Sequence, residues 1–276
     1  MTQQHRSLLR CLRQATLLTL LSAPVVPALH SQSQTPPLAG IAHIAIRVQS
    51  ISATRDFYAR LGFQEAFSLS KDGAIAESFI KLNDHQFIEL YPVTPQNPAP
   101  AFLHLCLEAS NLNAVFDDYA SRGLTPVPIR KAEAGNLLFS LTGPERQFIE
   151  YTQYLPGSLH SNDEGKHLDE DRIADRIIAV SLSMQDQASA RDFYINQLNF
   201  KPIAGDPMFL HMPGDSGQEV EIAQSTLGTR ARIILHPGSL GKATRHLHRE
   251  QIPIIKIKDA VAFTDPDGNF IVLDPR

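Results

Sequence analysis

The sequence predicts an α+β chain built from four copies of a β-α-β-β-β module, paired two by two. Two nested repeats carry this prediction. The tetrapeptide Gln-Phe-Ile-Glu occurs at residues 86–89 and again at 147–150, a spacing of 61, and Arg-Asp-Phe-Tyr occurs at 55–58 and again at 191–194, a spacing of 136. A short module is therefore duplicated, and the duplicate is itself duplicated. In each case the repeat falls on the same kind of element, an apolar run for the first tetrapeptide and a helical pattern for the second.

Residues 41–48 (IAHIAIRV) read as a strand, and 52–61 (SATRDFYARL) place Phe57, Tyr58 and Leu61 at helical spacing. Gly62 closes that helix, since glycine enters the left-handed conformation of a helix end without steric cost. Short strands are predicted at 63–69, 78–82 and 86–93, and the proline-rich stretch 92–100 leads to the second module. There, 102–107 is the strand, 112–121 the helix ended by Gly123, and 127–130, 137–141 and 147–151 the remaining strands. The second half opens with a strand at 177–184, ends its first module at 219–223, and begins its second at 232–235. Asp265-Pro266-Asp267-Gly268 is a turn before the last strand, 270–273. Residues 156–171 are polar and acid-rich and read as a linker, with His160 and His167 as solvated linker side chains. The expected domains are 38–155 and 173–276, joined by 156–172.

The first thirty residues stand apart. His5, Arg6, Arg10 and Arg13 form a basic start, residues 15–21 are apolar, and small residues with prolines at 24 and 27 follow. This is the pattern of a cleaved secretory signal, and the apolar run is shorter than the about 20 residues a membrane span needs. Cleavage is expected between residues 29 and 35, with a periplasmic or secreted product that carries no membrane anchor. Of the two cysteines, Cys11 lies in the signal, so Cys106 has no partner for an internal disulfide. Loss of three Arg leaves 22 basic residues against 29 acidic ones, a formal charge of −7. That balance, without a basic stripe, argues against nucleic acid and anionic membrane as partners and leaves a small-molecule substrate. A homodimer is compatible with the pattern.

The module repeat also carries the candidate chemistry. His43 precedes Glu89 by 46 residues and His104 precedes Glu150 by 46, each histidine on a first strand and each glutamate on a last strand. A pseudo-twofold between the modules brings all four towards one axis. Two carboxylates converging on one cavity repel unless a cation compensates them, and two His with two Glu form a ligand set for a borderline divalent metal. Alternation along the strands puts Arg47 on the face of His43 and Tyr91 on the face of Glu89. Arg47 is thus either an anchor for a substrate carboxylate or a surface residue closing its strand, and Tyr91 either lines the pocket or packs as a half-buried aromatic.

These modules, with His on the first strand, Ile-Glu on the last, the RDFY helix and the DPDGN-x-I-V-L ending, resemble the vicinal oxygen chelate superfamily. That superfamily includes glyoxalase I, bleomycin-resistance proteins and extradiol dioxygenases. The resemblance spans about residues 40–276 and implies two glyoxalase-like half-barrel domains. Its four-ligand pattern is matched at His43, Glu89, His104 and Glu150, which implies one divalent metal (Zn, Ni, Mn or Fe). Glu150 or Glu89 is then the base that moves the substrate's α-proton to and from an enediolate. The second half departs from the pattern: the equivalents of His43, His104 and Glu150 are Ala179, Arg232 and Val272, and only Glu221 keeps a carboxylate, at the place of Glu89.

Three functions follow from the resemblance. The first is a metal-dependent lyase or isomerase acting on a small hydroxycarbonyl compound. The second is an Fe(II) extradiol-type dioxygenase using His43, His104 and Glu150 alone. The third is a non-catalytic binding protein of the bleomycin-resistance type, which usually lacks metal ligands. Export separates the first from a literal glyoxalase I, whose thiol cosubstrate is cytosolic.

Overall fold

A computed structural model describes residues 36–224 and 230–276; the expected signal segment and its cleavage region lie outside the described residues. The first half folds into β1 (Leu38–Val48), β2 (Glu65–Lys71), β3 (Ala74–Lys81), β4 (Phe87–Pro92), β5 (Ala101–Ala109), β6 (Arg130–Lys131), β7 (Leu137–Thr142) and β8 (Phe148–Gln153). These make one half-barrel sheet in the order β2-β3-β4-β1-β5-β8-β7-β6, with the opening strands of its two modules side by side at the centre. Helices α1 (Ile51–Arg60) and α2 (Leu112–Ser121) connect β1 to β2 and β5 to β6.

After a single helical turn, α3 (Leu159–Asn162), the second half repeats the plan. Its strands are β9 (Arg176–Met184), β10 (Lys201–Ile203), β11 (Asp206–His211), β12 (Glu219–Gln224), β13 (Arg232–His236), β14 (Ile255–Ile257), β15 (Ala260–Thr264) and β16 (Phe270–Leu273). They pair in the order β10-β11-β12-β9-β13-β16-β15-β14. Helices α4 (Gln187–Asp192) and α5 (Leu240–Arg249) occupy the places of α1 and α2. No helix among the described residues is long and apolar enough to cross a membrane.

Helix α1 shows how local sequence sets an element. Ser50 caps its start by accepting from the Ala53 amide, as short hydroxyl side chains do at helix N-termini. Gly62, at φ +84°, ends it, and the Gly62 and Phe63 amides return to the Ala59 and Tyr58 carbonyls. A side chain at Gly62 would also strike the backbone of Arg172, so this glycine additionally permits the later chain to pack against the helix end.

The RDFY repeat has a use that spacing alone does not reveal. Tyr58 donates to Asp265 at 3.5 Å, in the turn before β16, while Tyr194 donates to Gln147 at 2.8 Å, in the turn before β8. The Gln49 amide donates to Asp267, and the Gln185 and Asp186 amides to Glu145. The first module therefore docks on the fourth and the third on the second. Both tyrosines are fully buried, and each contributes about 1.5–3 kcal/mol by burial of a large side chain.

Several expectations need correction. Strand β3 begins four residues earlier than 78, because it pairs with β2 as a long hairpin (Lys71↔Ala74). Strand β6 shrinks to two residues, the extended stretch before it making only one ladder bond, from the Val127 amide to Ser140. The stretch 156–171 is not a solvated tether: it packs onto the first sheet, with Leu168 bridged to Phe63 and the Leu159 amide bonded to Ala134. His160 within it is buried, whereas His167 is partly exposed, with its ring 2.6 Å from Asp163. Helix α5 meets α1 of the first half, where His246 contacts the Arg60 carbonyl.

Candidate metal centre

The first sheet places two rows of side chains across its middle. In one row Glu89 on β4 pairs with Ala45 on β1, which pairs with His104 on β5; in the other His43 on β1 pairs with Cys106 on β5, which pairs with Glu150 on β8. Each row thus has a histidine and a glutamate on strands flanking a small residue. Ala45 and Cys106 leave room in which the longer side chains lean together. All four candidate ligands are buried.

The tips converge. His43 Nε2 lies 3.2 Å from His104 Nε2 and 3.5 Å from Glu150 Oε2, and His104 Nε2 lies 3.6 Å from the same oxygen. A point about 2.0 Å from all three atoms exists at the centre of that triangle, matching the about 2.0–2.2 Å bonds of divalent metals to imidazole and carboxylate. Glu89 approaches the other side of the His43 ring, 3.1 Å from Nδ1 but off the hydrogen-bonding direction, and Tyr91 donates to Glu89 Oε2 at 3.1 Å. His43, Glu89 and His104 still fall within one 4.8 Å cluster, as do His43, Cys106 and Glu150.

Burial sets the protonation states. It lowers the His43 pKa to about 3 and, with His43 adding repulsion, the His104 pKa to about 4, so both imidazoles are neutral and free to ligate. Burial raises Glu89 well above the usual carboxylate range, and the charges of Glu150 and Glu77 push the same way. Glu150 is also raised by burial, against the opposing effect of His104 and Arg130. Without a cation this is an unfavourable place for two carboxylates. Neutral imidazoles beside crowded carboxylates are the donor set a divalent cation satisfies, so the residues fit the group that the sequence implied.

His43, Glu89 and Glu150 line a cavity of about 170 Å³, and His104 stands behind its wall against His43. Tyr91 is part of its wall, together with Glu77, Arg130, Asn136 and His160. Arg47 is not: its guanidinium Nε donates to the Ala99 carbonyl at 2.8 Å, so it closes its strand onto the connection before β5. Glu77, Arg130, Asn136 and His160 were missed in the sequence. None of them lies on a repeated motif, and a histidine in an acidic stretch gives no sign of burial.

In the second sheet the same register positions hold Glu221–Ser181–Arg232 and Ala179–Ile234–Val272. The mapping inferred from the repeats is therefore the structural one. Arg232 Nη1 lies 2.9 Å from Glu221 Oε2, and Ser181 also bonds that carboxylate. An internal guanidinium thus occupies the electrostatic role that a cation would have.

Residues 40–151 match the Glyoxalase/Bleomycin resistance protein/Dioxygenase superfamily. That match spans the first half-barrel sheet and stops before the second. Solved structures share the chain's tandem fold. The 2,3-dioxygenase LapB from Pseudomonas sp. KL28 superposes with a TM-score of 0.63 at 13% identity, over 87% of this chain and 92% of the other. The Mn(II)-bound glyoxalase from Novosphingobium aromaticivorans gives 0.63 at 14% identity, over 86% and 82%. A homoprotocatechuate 2,3-dioxygenase from B. fuscum gives 0.62 at 14% identity, over 88% and 72%. No curated protein matches the sequence. At these identities the superpositions establish the fold and leave the reaction to the site itself.

Proposed function

We propose that this protein is an exported, divalent-metal-dependent lyase or isomerase of glyoxalase-like chemistry, acting on a small hydroxycarbonyl compound. The observation that carries the reading is the pair of buried carboxylates, Glu89 and Glu150, approaching the two-histidine cluster from opposite sides. One carboxylate can stay with the metal while the other moves a proton. His43, His104, Glu150 and Glu89 would hold the ion, which when bound polarises vicinal substrate oxygens as a Lewis acid.

The residues divide the remaining work. Tyr91 holds Glu89 through its hydroxyl on the far side of His43, while Glu150 faces both histidine Nε2 atoms, and the α-proton is assigned to this carboxylate pair, one member staying with the ion. Arg130, which lines the cavity and offsets the charge of Glu150, is the anchor for a substrate carboxylate, since Arg47 is turned to the Ala99 carbonyl. The volume of about 170 Å³ is below the about 300–1,000 Å³ of sites for drug-sized ligands. It supports a small substrate and counts against a bulky thiol adduct, in keeping with export.

A second reading rests on the His43–His104–Glu150 triangle, which is by itself a two-histidine, one-carboxylate face of the kind used by non-haem iron oxygenases. The deciding experiment is metal analysis of aerobically and anaerobically purified protein followed by substrate profiling. Isomerisation or lyase turnover with Zn, Ni or Mn supports the first reading. Oxygen uptake on catechols with iron replaces it with the second, and a metal-free protein removes both. N-terminal sequencing of exported material tests the location: a start between residues 29 and 35 is expected, and an intact Met1 in a soluble cytosolic fraction contradicts export.

A further inference from the structure

Two buried polar side chains on the cavity wall have unpartnered atoms, and neighbouring backbone segments deliver both. Asn136, 5% exposed, donates from Nδ2 to Thr152 Oγ1 at 2.6 Å. The single hydroxyl hydrogen of Thr152 is directed to the Leu137 carbonyl at 3.0 Å, so Thr152 can only accept from Asn136. The amide orientation is thereby fixed, and Asn136 Oδ1 is left as an acceptor with no protein donor. His160, 3% exposed, has no hydrogen-bond partner at either ring nitrogen. Its ring stacks on Tyr154 and meets Phe67, Phe79 and Phe87 edge-on.

Leaving such groups unpaired is costly, and native structures seldom do so without a reason. The surroundings are moreover built to hold them. Gly135, at φ +90°, lets the β6–β7 turn approach Ser158 so closely that a side chain there would lie 3.1 Å from the Ser158 Cα. The Leu159 amide bonds Ala134, and the Ala132 amide closes the turn on Asn136. On the other flank the fully buried Lys81 grips Asp163 at the end of α3, 2.8 Å from its carboxylate and 2.5 Å from its carbonyl.

We propose that Asn136 and His160 form a polar wall that orients a hydroxyl of the substrate beside the metal-chelating oxygens, Asn136 Oδ1 accepting its hydrogen and a His160 ring nitrogen donating to its oxygen. The substrate class is thereby narrowed to small carbonyl compounds bearing a further hydroxyl next to the chelating pair. The inference rests on the proposed metal site, and it makes the segment after β8 part of the active centre.

The test uses two probes that chelate a metal alike and differ in one hydroxyl, glycolohydroxamate and acetohydroxamate, titrated calorimetrically into the Mn(II)-loaded mature protein. The wild type should bind the hydroxylated probe roughly tenfold more tightly, the effect of about one good hydrogen bond to a buried partner. Asn136→Leu, which keeps the shape and removes the acceptor, and His160→Phe, which suits the aromatic box, should each erase most of that preference. Both should leave Mn(II) affinity and acetohydroxamate affinity unchanged, which also shows that they fold. Equal binding of the two probes by the wild type, or an undiminished preference in Asn136→Leu or His160→Phe, overturns the proposal and assigns these atoms to buried water. Failure of the wild type to bind Mn(II), Zn(II), Ni(II) or Fe(II) is a different result, and it overturns the metal reading on which the wall depends.

Discussion

Arg232 donates to Glu221 at 2.9 Å, and this pair holds in the second sheet the register positions that His104 and Glu89 hold in the first. The halves thus answer one electrostatic problem, a carboxylate on a concave sheet face, in two ways. One does it with a permanent guanidinium and the other with a site fit for an exchangeable cation. A metal stoichiometry near one per chain is the expected outcome.

The relation can be run backwards. Introducing Ala179→His, Arg232→His and Val272→Glu around Glu221 should raise the stoichiometry from near one to near two divalent ions per chain, measured by elemental analysis after gel filtration. No gain in a folded variant would show that register alone does not suffice. The single change Arg232→Ala should cost about 1–3 kcal/mol in denaturant unfolding, because Glu221 loses its charged partner.

Glu89 separates the two enzyme readings. In the four-ligand reading, Glu89→Gln and Glu150→Gln both weaken metal binding and depress turnover by about 10²–10⁴, the usual range of an acid–base group. In the iron reading only Glu150→Gln does so, and Glu89→Gln keeps its iron and its oxygen consumption. Metal content and activity of the two variants beside wild type decide between them.

Lys81 is fully buried and pairs with Asp163 and, at 2.8 Å, with Asp84. Lys81→Met leaves Asp163 buried without its counter-charge, which should destabilise the protein by about 3–5 kcal/mol. The stretch 156–172 should then be cut by protease faster than the rest of the chain. Uniform digestion of the variant would contradict its role as the clamp on that segment.

His160 predicts a pH effect with a definite sign. Burial lowers its folded pKa from 6.5 to about 3, so below pH 6.5 the unfolded chain takes up a proton that the folded one refuses. The stability is fully present above 6.5 and is lost as pH falls towards 3, by up to about 1.4 kcal/mol per unit. Metal-free wild type should therefore lose about 2 kcal/mol relative to His160→Phe between pH 7 and pH 5. Parallel stability curves for the two proteins would show that His160 is not held neutral.

What the sequence determined by itself is what repeats determine. Equal spacings put His43 with Glu89 and His104 with Glu150 on equivalent strands, and strand alternation carried the four to one face. The degenerate positions Ala179, Glu221, Arg232 and Val272 were legible for the same reason, because backbone register is a local, periodic property that a duplicated sequence preserves. Helix ends were legible where one residue decides them, as at Gly62 and Gly123. Only tertiary structure decided the rest of the cavity. Arg47 was carried to the Ala99 carbonyl by a connection whose path no periodicity encodes. His160 came to the wall because an acidic stretch that reads as solvated is pulled down by the buried Lys81 ammonium, far from it in sequence, and Asn136 because the β6–β7 turn closes against Ser158 and Leu159 of that stretch. Burial of a charged or polar residue depends on partners distant in the chain, and a single sequence records the residues without recording the pairing.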